Sequence, residues 1–201
     1  MIVAGLTGSI AMGKSETAKM FAARGIPVFD SDAAVHALYA NGGAAVEPVA
    51  AIAPSAVVDG RVDRGRLAAL VQAEPALLPR IEAVVHPLVR GLQEQFLAES
   101  MKAGVDIAVL DIPLLFETGR DHEVDVIIVV SAGADLQRER ALKRPGMTEE
   151  KLAFILKKQL PDEQKRARAD YVIDTSESLA ITGREVDRVI ADLRGKASEG
   201  A

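Results

Sequence analysis

At 201 residues, 49% of them hydrophobic and 26% charged, the chain has the size and apolar content for one globular domain with insertions. The absence of cysteine excludes a disulfide framework, a thiolate metal site and a cysteine nucleophile, and a net charge of −5 argues against general nucleic-acid binding. No apolar run approaches the roughly 18 residues of a membrane span and no basic leader precedes the first apolar run, so a cytoplasmic protein without membrane partners is expected. With five Phe, two Tyr and no Trp, its core must be built from Val, Leu, Ile and Ala.

The first element, Ile2–Thr7, is a short apolar run that reads as a buried strand, and Ser15–Ala23 reads as a helix. Between them Gly8, Gly13, Lys14 and Ser15 satisfy the phosphate-loop pattern G-x-x-x-x-G-K-[ST]. At such a strand-to-helix turn, backbone N–H groups and the helix N-terminus converge on an anion. Lys14 adds a positive charge for the β- and γ-phosphates, and the Ser15 hydroxyl is placed to ligate Mg²⁺. The pattern implies a bound nucleoside triphosphate, with Lys14 reaching into a solvated cleft.

Val28–Asp30 reads as a second strand and Asp32–Tyr39 as the helix after it. In a doubly wound sheet, ligands lie beyond the carboxyl ends of the strands, where a carboxylate can accept a proton from a substrate hydroxyl. Of the two aspartates here, Asp30 is read as the helix cap and Asp32 as the chemical group. His36, four residues on, shares the Asp32 face and could line the cleft. Residues 42–105 interrupt the pattern with Pro48, Pro54, Pro75, Pro79 and Pro87 among helical stretches, including Arg80–Met101. They offer no convincing strand and are read as a helical insertion.

Strands return at Ile107–Ile112, Val124–Val130 and Tyr171–Asp174, with helices at Ala134–Lys143, Thr148–Gln159 and Ser178–Leu193. Residues 137–168 carry ten basic and five acidic side chains, so the rest of the chain is strongly acidic. Such a run suits a solvated helix face or a basic flap that closes over polyphosphate. Arg140 and Arg144 are spaced by one helical turn, which places both on one face of that flap, and Pro145-Gly146 supplies its turn. Only the tail from 195 to 201 reads as disordered. Strand alternating with helix predicts an α/β fold, a doubly wound parallel five-stranded sheet of P-loop NTPase type.

Taken together, GLTGSIAMGKS (5–15), FDSDAAVHAL (29–38), DGRVDRGRLAALV (59–71), IEAVVHPLV (81–89), LDIPLLFETG (110–119), QRERALKRPGMTEEK (137–151) and ADYVIDTS (169–176) resemble the dephospho-CoA kinase family, in family order over nearly the whole chain. The resemblance implies ATP-dependent phosphorylation of the ribose 3′-hydroxyl of dephospho-CoA, with Mg²⁺. The implied architecture is a nucleotide-binding core (1–41 and 106–201), a helical CoA-binding insertion (42–105) and a helical lid (137–160). It implies Lys14, Asp32 and Arg140 as catalytic, and Gly8, Ala11, Met12, Gly13, Lys14, Ser15, Glu16, Arg140 and Arg144 as ATP contacts. Asp32, His36, His86, Leu115 and Phe116 would meet dephospho-CoA, and Asp111 would hold Mg²⁺ through water. A monomer or weak oligomer is expected. Two departures stand out: Ser9 and Ala11 replace frequent glycines, and Thr175 replaces a usual Asn.

A shikimate-type small-metabolite kinase would share the loop and the acceptor aspartate, but not the HP and PLLFE segments or so long an insertion. A guanine-nucleotide switch is excluded because the single asparagine, Asn41, precedes Gly42 and so cannot open an N-K-x-D motif. A dinucleotide site is excluded as well, since no G-x-G-x-x-G follows the first strand.

Overall fold

The computed structural model describes residues 1–199. The chain divides into two compact units, one made of Met1–Phe29 with Ser100–Ala201 and the other of Asp30–Glu99. In chain order the elements begin with β1 (Ile2–Thr7), α1 (Lys14–Ala23), β2 (Val28–Asp30), α2 (Ser31–Tyr39) and α3 (Val46–Ile52). They continue with β3 (Val57–Val58), β4 (Arg61–Val62), α4 (Arg64–Ala73), α5 (Leu77–Lys102) and β5 (Ile107–Asp111). The last are β6 (Val126–Ser131), α6 (Ala134–Leu142), α7 (Glu149–Lys158), α8 (Asp162–Ala167), β7 (Tyr171–Asp174) and α9 (Leu179–Glu199).

The first unit is built on a five-stranded parallel sheet in the order β2-β5-β1-β6-β7. β1 is central, with Ile2 opposite Ile107 on β5 and Ala4 opposite Val126 on β6. All five residues of β5 are buried, which is why this strand reads as an unbroken apolar run. On one face, Phe21 of α1 and Val186, Val189, Ile190 and Leu193 of α9 close over Leu6, Ile128, Val130 and Ile173. Each such buried side chain contributes on the order of 1.5–3 kcal/mol. Because β1 lies between β5 and β6, the turn that follows it opens at the carboxyl edge of the sheet, between their ends.

Two expectations change in this unit. The helix predicted to stop at Leu193 continues as α9 to Glu199, through residues expected to be disordered; residues 200 and 201 lie outside those described. Gly195 and Ser198 weaken the helical signal, but Lys196 Nζ sits 4.9 Å from the centroid of the Tyr171 ring and ties this turn to β7. At the other change, α6 ends at Leu142, so Arg144 lies in the bend beyond it rather than on the helix face of Arg140. Pro145 disfavours helical backbone at the residue before it, which ends the helix early.

In the second unit, β3 and β4 pair antiparallel where no strand was expected. The signal is the dipeptide Asp59-Gly60, with φ of 50° and 71°, the two positive values of a tight hairpin turn. Asn41 Nδ2 donates to the Asp59 carbonyl at 2.8 Å and steadies that turn. The long helix α5 runs through Pro87 without a break. Among the described residues, no helix is long and apolar enough to cross a membrane.

Candidate active site

Residues 8–13 join β1 to α1, and their shape follows from what each position leaves room for. A Cβ on Gly8 would come within 2.5 Å of a Val130 methyl and 2.8 Å of the Val130 carbonyl, so only glycine lets the loop leave β1 so close to β6. Gly13 has φ 89° and caps α1 in the left-handed region, and a Cβ there would meet Thr175 at 3.1 Å. Ala11 holds φ 62°, a conformation that costs an L-residue roughly 1–2 kcal/mol. Ser9 needs no such freedom: it is buried, and its carbonyl accepts the Met12 N–H at 3.2 Å.

Lys14 and Ser15 open α1, where the helix's first N–H groups have no preceding turn to bond and the dipole is positive. Lys14 differs from the solvated cleft residue that the pattern suggests. Its side chain is only 15% exposed, and Nζ forms an ion pair with the buried Asp111 carboxylate at the end of β5. Asp111 and Lys14 are therefore brought together at the mouth of the loop. Ser15 and Glu16 are exposed on the first turn, and Glu16 pairs with Lys19 at 2.6 Å.

Arg140, near the end of α6, reaches the same loop through Thr175. Its Nη2 donates to the Thr175 carbonyl at 2.7 Å and its Nη1 to Thr175 Oγ1 at 3.3 Å. Thr175 Oγ1 in turn donates to the Met12 carbonyl at 2.7 Å. The Ile10 backbone is held on both sides: its N–H donates to Gln159 Oε1 at 3.0 Å, and its carbonyl accepts from Gln137 Nε2 at 2.9 Å. Gln137, Gln159 and Thr175 were not foreseen as loop partners. They lie more than 120 residues away in sequence, and no spacing rule connects them to the loop.

Leu115 is fully buried and Phe116 nearly so, with the Arg168 guanidinium 4.3 Å from the Phe116 ring centroid. Neighbouring Glu117 accepts the Leu160 N–H at 2.8 Å and pairs with Lys165 Nζ at 2.8 Å, a lysine with no exposed surface. The turn after β5 is thus locked to the segment after α7. In the second unit, Asp30 caps α2 by accepting the Ala33 N–H at 2.9 Å. Asp32 and His36 are exposed on α2 and His86 is exposed on α5.

The chain as a whole is similar to known proteins. The family model described as dephospho-CoA kinase matches residues 1–180. A dephospho-CoA kinase of Mesorhizobium japonicum is 58% identical over 196 residues, 98% of each chain. A solved Thermus thermophilus structure superposes with a TM-score of 0.81 at 36% identity, covering 96% of this chain and 97% of the other. The dephospho-CoA kinase of Campylobacter jejuni shares the fold, with a TM-score of 0.66 at 22% identity over 95% of this chain and 96% of its own. The chain belongs to the dephospho-CoA kinase family.

Proposed function

We propose that this chain transfers the γ-phosphoryl group of ATP to the ribose 3′-hydroxyl of dephospho-CoA, the last step in making coenzyme A. The observation that carries this reading is the convergence of Lys14 and, through Thr175, Arg140 on one phosphate loop. A shikimate-type kinase is the rejected alternative, because both family membership and the HP and PLLFE segments speak for the CoA precursor. We further read the protein as a cytoplasmic monomer or weak oligomer without nucleic-acid partners, in keeping with its net charge of −5.

Phosphoryl transfer spreads charge over the γ-oxygens in an in-line displacement, so the protein contributes position and positive charge. In our reading the amides of residues 11–16 cradle the β- and γ-phosphates, Lys14 leaves Asp111 to bind them, and Arg140 meets the charge that develops in the transition state. Arg144, exposed beyond α6, would grip the nucleotide. Asp32 is assigned the proton of the 3′-hydroxyl. Asp30 already serves as a cap, whereas among the described residues the Asp32 carboxylate accepts from no other protein group. His36 and His86 are assigned to the acceptor. Leu115 and Phe116, being buried, would shape its pocket through the turn they anchor.

Among the described residues there is no cluster of three or more His, Cys, Asp or Glu suited to a metal. The Ser15 hydroxyl and the Asp111 carboxylate offer oxygen, a donor set that fits Mg²⁺, which keeps waters and takes its other ligands from phosphates. Bound there through Ser15, and through water to Asp111, the ion would neutralise charge between the β- and γ-phosphates.

The test is ADP release measured with dephospho-CoA, shikimate, adenosine and AMP as parallel acceptors. Turnover should require dephospho-CoA; equal release with and without it refutes the assignment.

A further inference from the structure

Thr175, the first residue past β7, is 5% exposed and has no place in the phosphate-loop pattern. Its backbone N–H donates to the Ser131 carbonyl at 2.8 Å, which extends the β6–β7 ladder by one rung and fixes where its side chain starts. From there the hydroxyl does two things at once. Its single proton faces two carbonyls, Met12 at 2.7 Å and Ser131 at 3.2 Å, and the shorter contact directs it to Met12, while its oxygen accepts from Arg140 Nη1 at 3.3 Å. The Thr175 carbonyl takes a second guanidinium proton at 2.7 Å, leaving the rest of the five arginine donors for other acceptors. The Cβ and methyl of Thr175 fill the space beside Gly13.

The consequence follows from peptide geometry. The Met12 carbonyl and the Gly13 N–H belong to one planar trans unit and point in opposite directions. Pinning the carbonyl to Thr175 therefore turns the Gly13 N–H away from Thr175. The same hydroxyl receives a charged donor, and a donor–acceptor chain running from arginine through hydroxyl to carbonyl strengthens each of its bonds. Thr175 thus sets the direction of a loop amide and the place of the arginine together.

We infer that Thr175 is a positioning residue for phosphoryl transfer, coupling the Gly13 amide to Arg140 through its hydroxyl. The inference rests on the proposed kinase reading, in which that amide and Arg140 meet the polyphosphate. A valine at 175 keeps the shape and loses the hydroxyl; a serine keeps the hydroxyl and loses the methyl.

The experiment compares Thr175→Val, Thr175→Ser, Arg140→Ala and the Thr175→Val/Arg140→Ala double variant. It measures kcat and KM with dephospho-CoA, ATP dissociation constant without acceptor, and thermal midpoint. Thr175→Val should lower kcat at least tenfold and weaken ATP binding severalfold, while Thr175→Ser stays within about threefold of the parent in both. In the Arg140→Ala background, Thr175→Val should cost much less than it does alone, because the arginine it places is gone. Full independence of the two substitutions, or a Thr175→Val protein with parental kcat and ATP affinity, overturns the inference. So does a folded Thr175→Ser protein that loses more than tenfold in kcat, and this variant decides the matter if Thr175→Val does not fold. A parent inactive on dephospho-CoA would instead refute the substrate assignment, and ATP affinity would still test the coupling.

Discussion

At the residue scale, the Lys14–Asp111 pair changes what substitution of the lysine should do. Lys14→Ala removes the proposed phosphate ligand and should lower kcat by orders of magnitude. It also takes the Lys14 ammonium away from the buried Asp111 carboxylate, so the thermal midpoint at neutral pH should fall too. Adding Asp111→Asn should restore much of the midpoint and none of the rate; a double variant as unstable as Lys14→Ala alone would contradict this account. The two aspartates near α2 separate in a similar way. Asp32→Asn keeps shape but loses proton-acceptor strength, so kcat should drop roughly a hundredfold with ATP binding nearly unchanged. Asp30→Asn should shift only the midpoint, and slightly, because Asn also caps helices well. Activity surviving in Asp32→Asn and vanishing in Asp30→Asn would reverse the assignment. Gly8, Gly13, Lys14 and Ser15 were legible in the sequence because the chemistry demands fixed residue types at a fixed spacing. Thr175, Gln137 and Gln159 were not, since their partners are loop backbone atoms, which carry no residue signature.

At the scale of elements, the basic segment 137–160 is tied to the phosphate loop at both ends and, through buried Leu152, which clusters with Ala11 and Ala141, also in between. Gln137 on α6 and Gln159 just past α7 both hold the Ile10 backbone. Between them, Gly146 turns with φ 72°, Arg144 is exposed, and Phe154 is 59% exposed on α7. If this basic segment closes on ATP, amide-exchange protection in the presence of ATP and dephospho-CoA should rise most within residues 143–156 and least at Gln137 and Gln159. Exchange that stays unchanged across the whole segment would mark it as a solvated helical face. The elements most legible in sequence were those with strong periodicity or full burial, such as β5 and the amphipathic turns of α9 through Leu193. The β3–β4 hairpin was missed although Asp59-Gly60 marks its turn, because two residues per strand show no alternation. The end of α6 was legible from Pro145-Gly146, expected at Lys143 and found at Leu142, but the spacing of Arg140 and Arg144 was read as helical past that end.

At the scale of the whole molecule, surface carboxylates tie distant parts of the first unit together and set its response to acid. Arg194 on α9 donates to Asp106 at 2.7 Å just ahead of β5, and this bond holds the Asp106 carboxyl below its ordinary range. Arg24, at the end of α1, bonds Asp187 on α9 and also donates to the Gly183 carbonyl at 2.9 Å, and the Asp187 carboxyl is lowered for the same reason. The Ser176 hydroxyl and N–H likewise lower Asp174 at the end of β7. A carboxyl whose folded pKa lies below its unfolded value contributes stability that is present above the unfolded pKa, near 4, and is lost as pH falls through the folded one. The thermal midpoint should therefore stay nearly level from pH 8 to about 5 and fall below about pH 4, with α9 the element whose attachments weaken. Because these pairs are exposed, each contributes modestly and added salt should blunt the effect. Calorimetry across pH 3–8 on the parent and on an Asp106→Asn/Asp187→Asn variant makes the comparison. The double variant should start from a lower midpoint at pH 7 and lose less between pH 5 and pH 3. An acid slope identical to the parent's would show that neither carboxylate contributes to it, leaving the burial of Val186, Val189, Ile190 and Leu193 as the main attachment of α9 in acid.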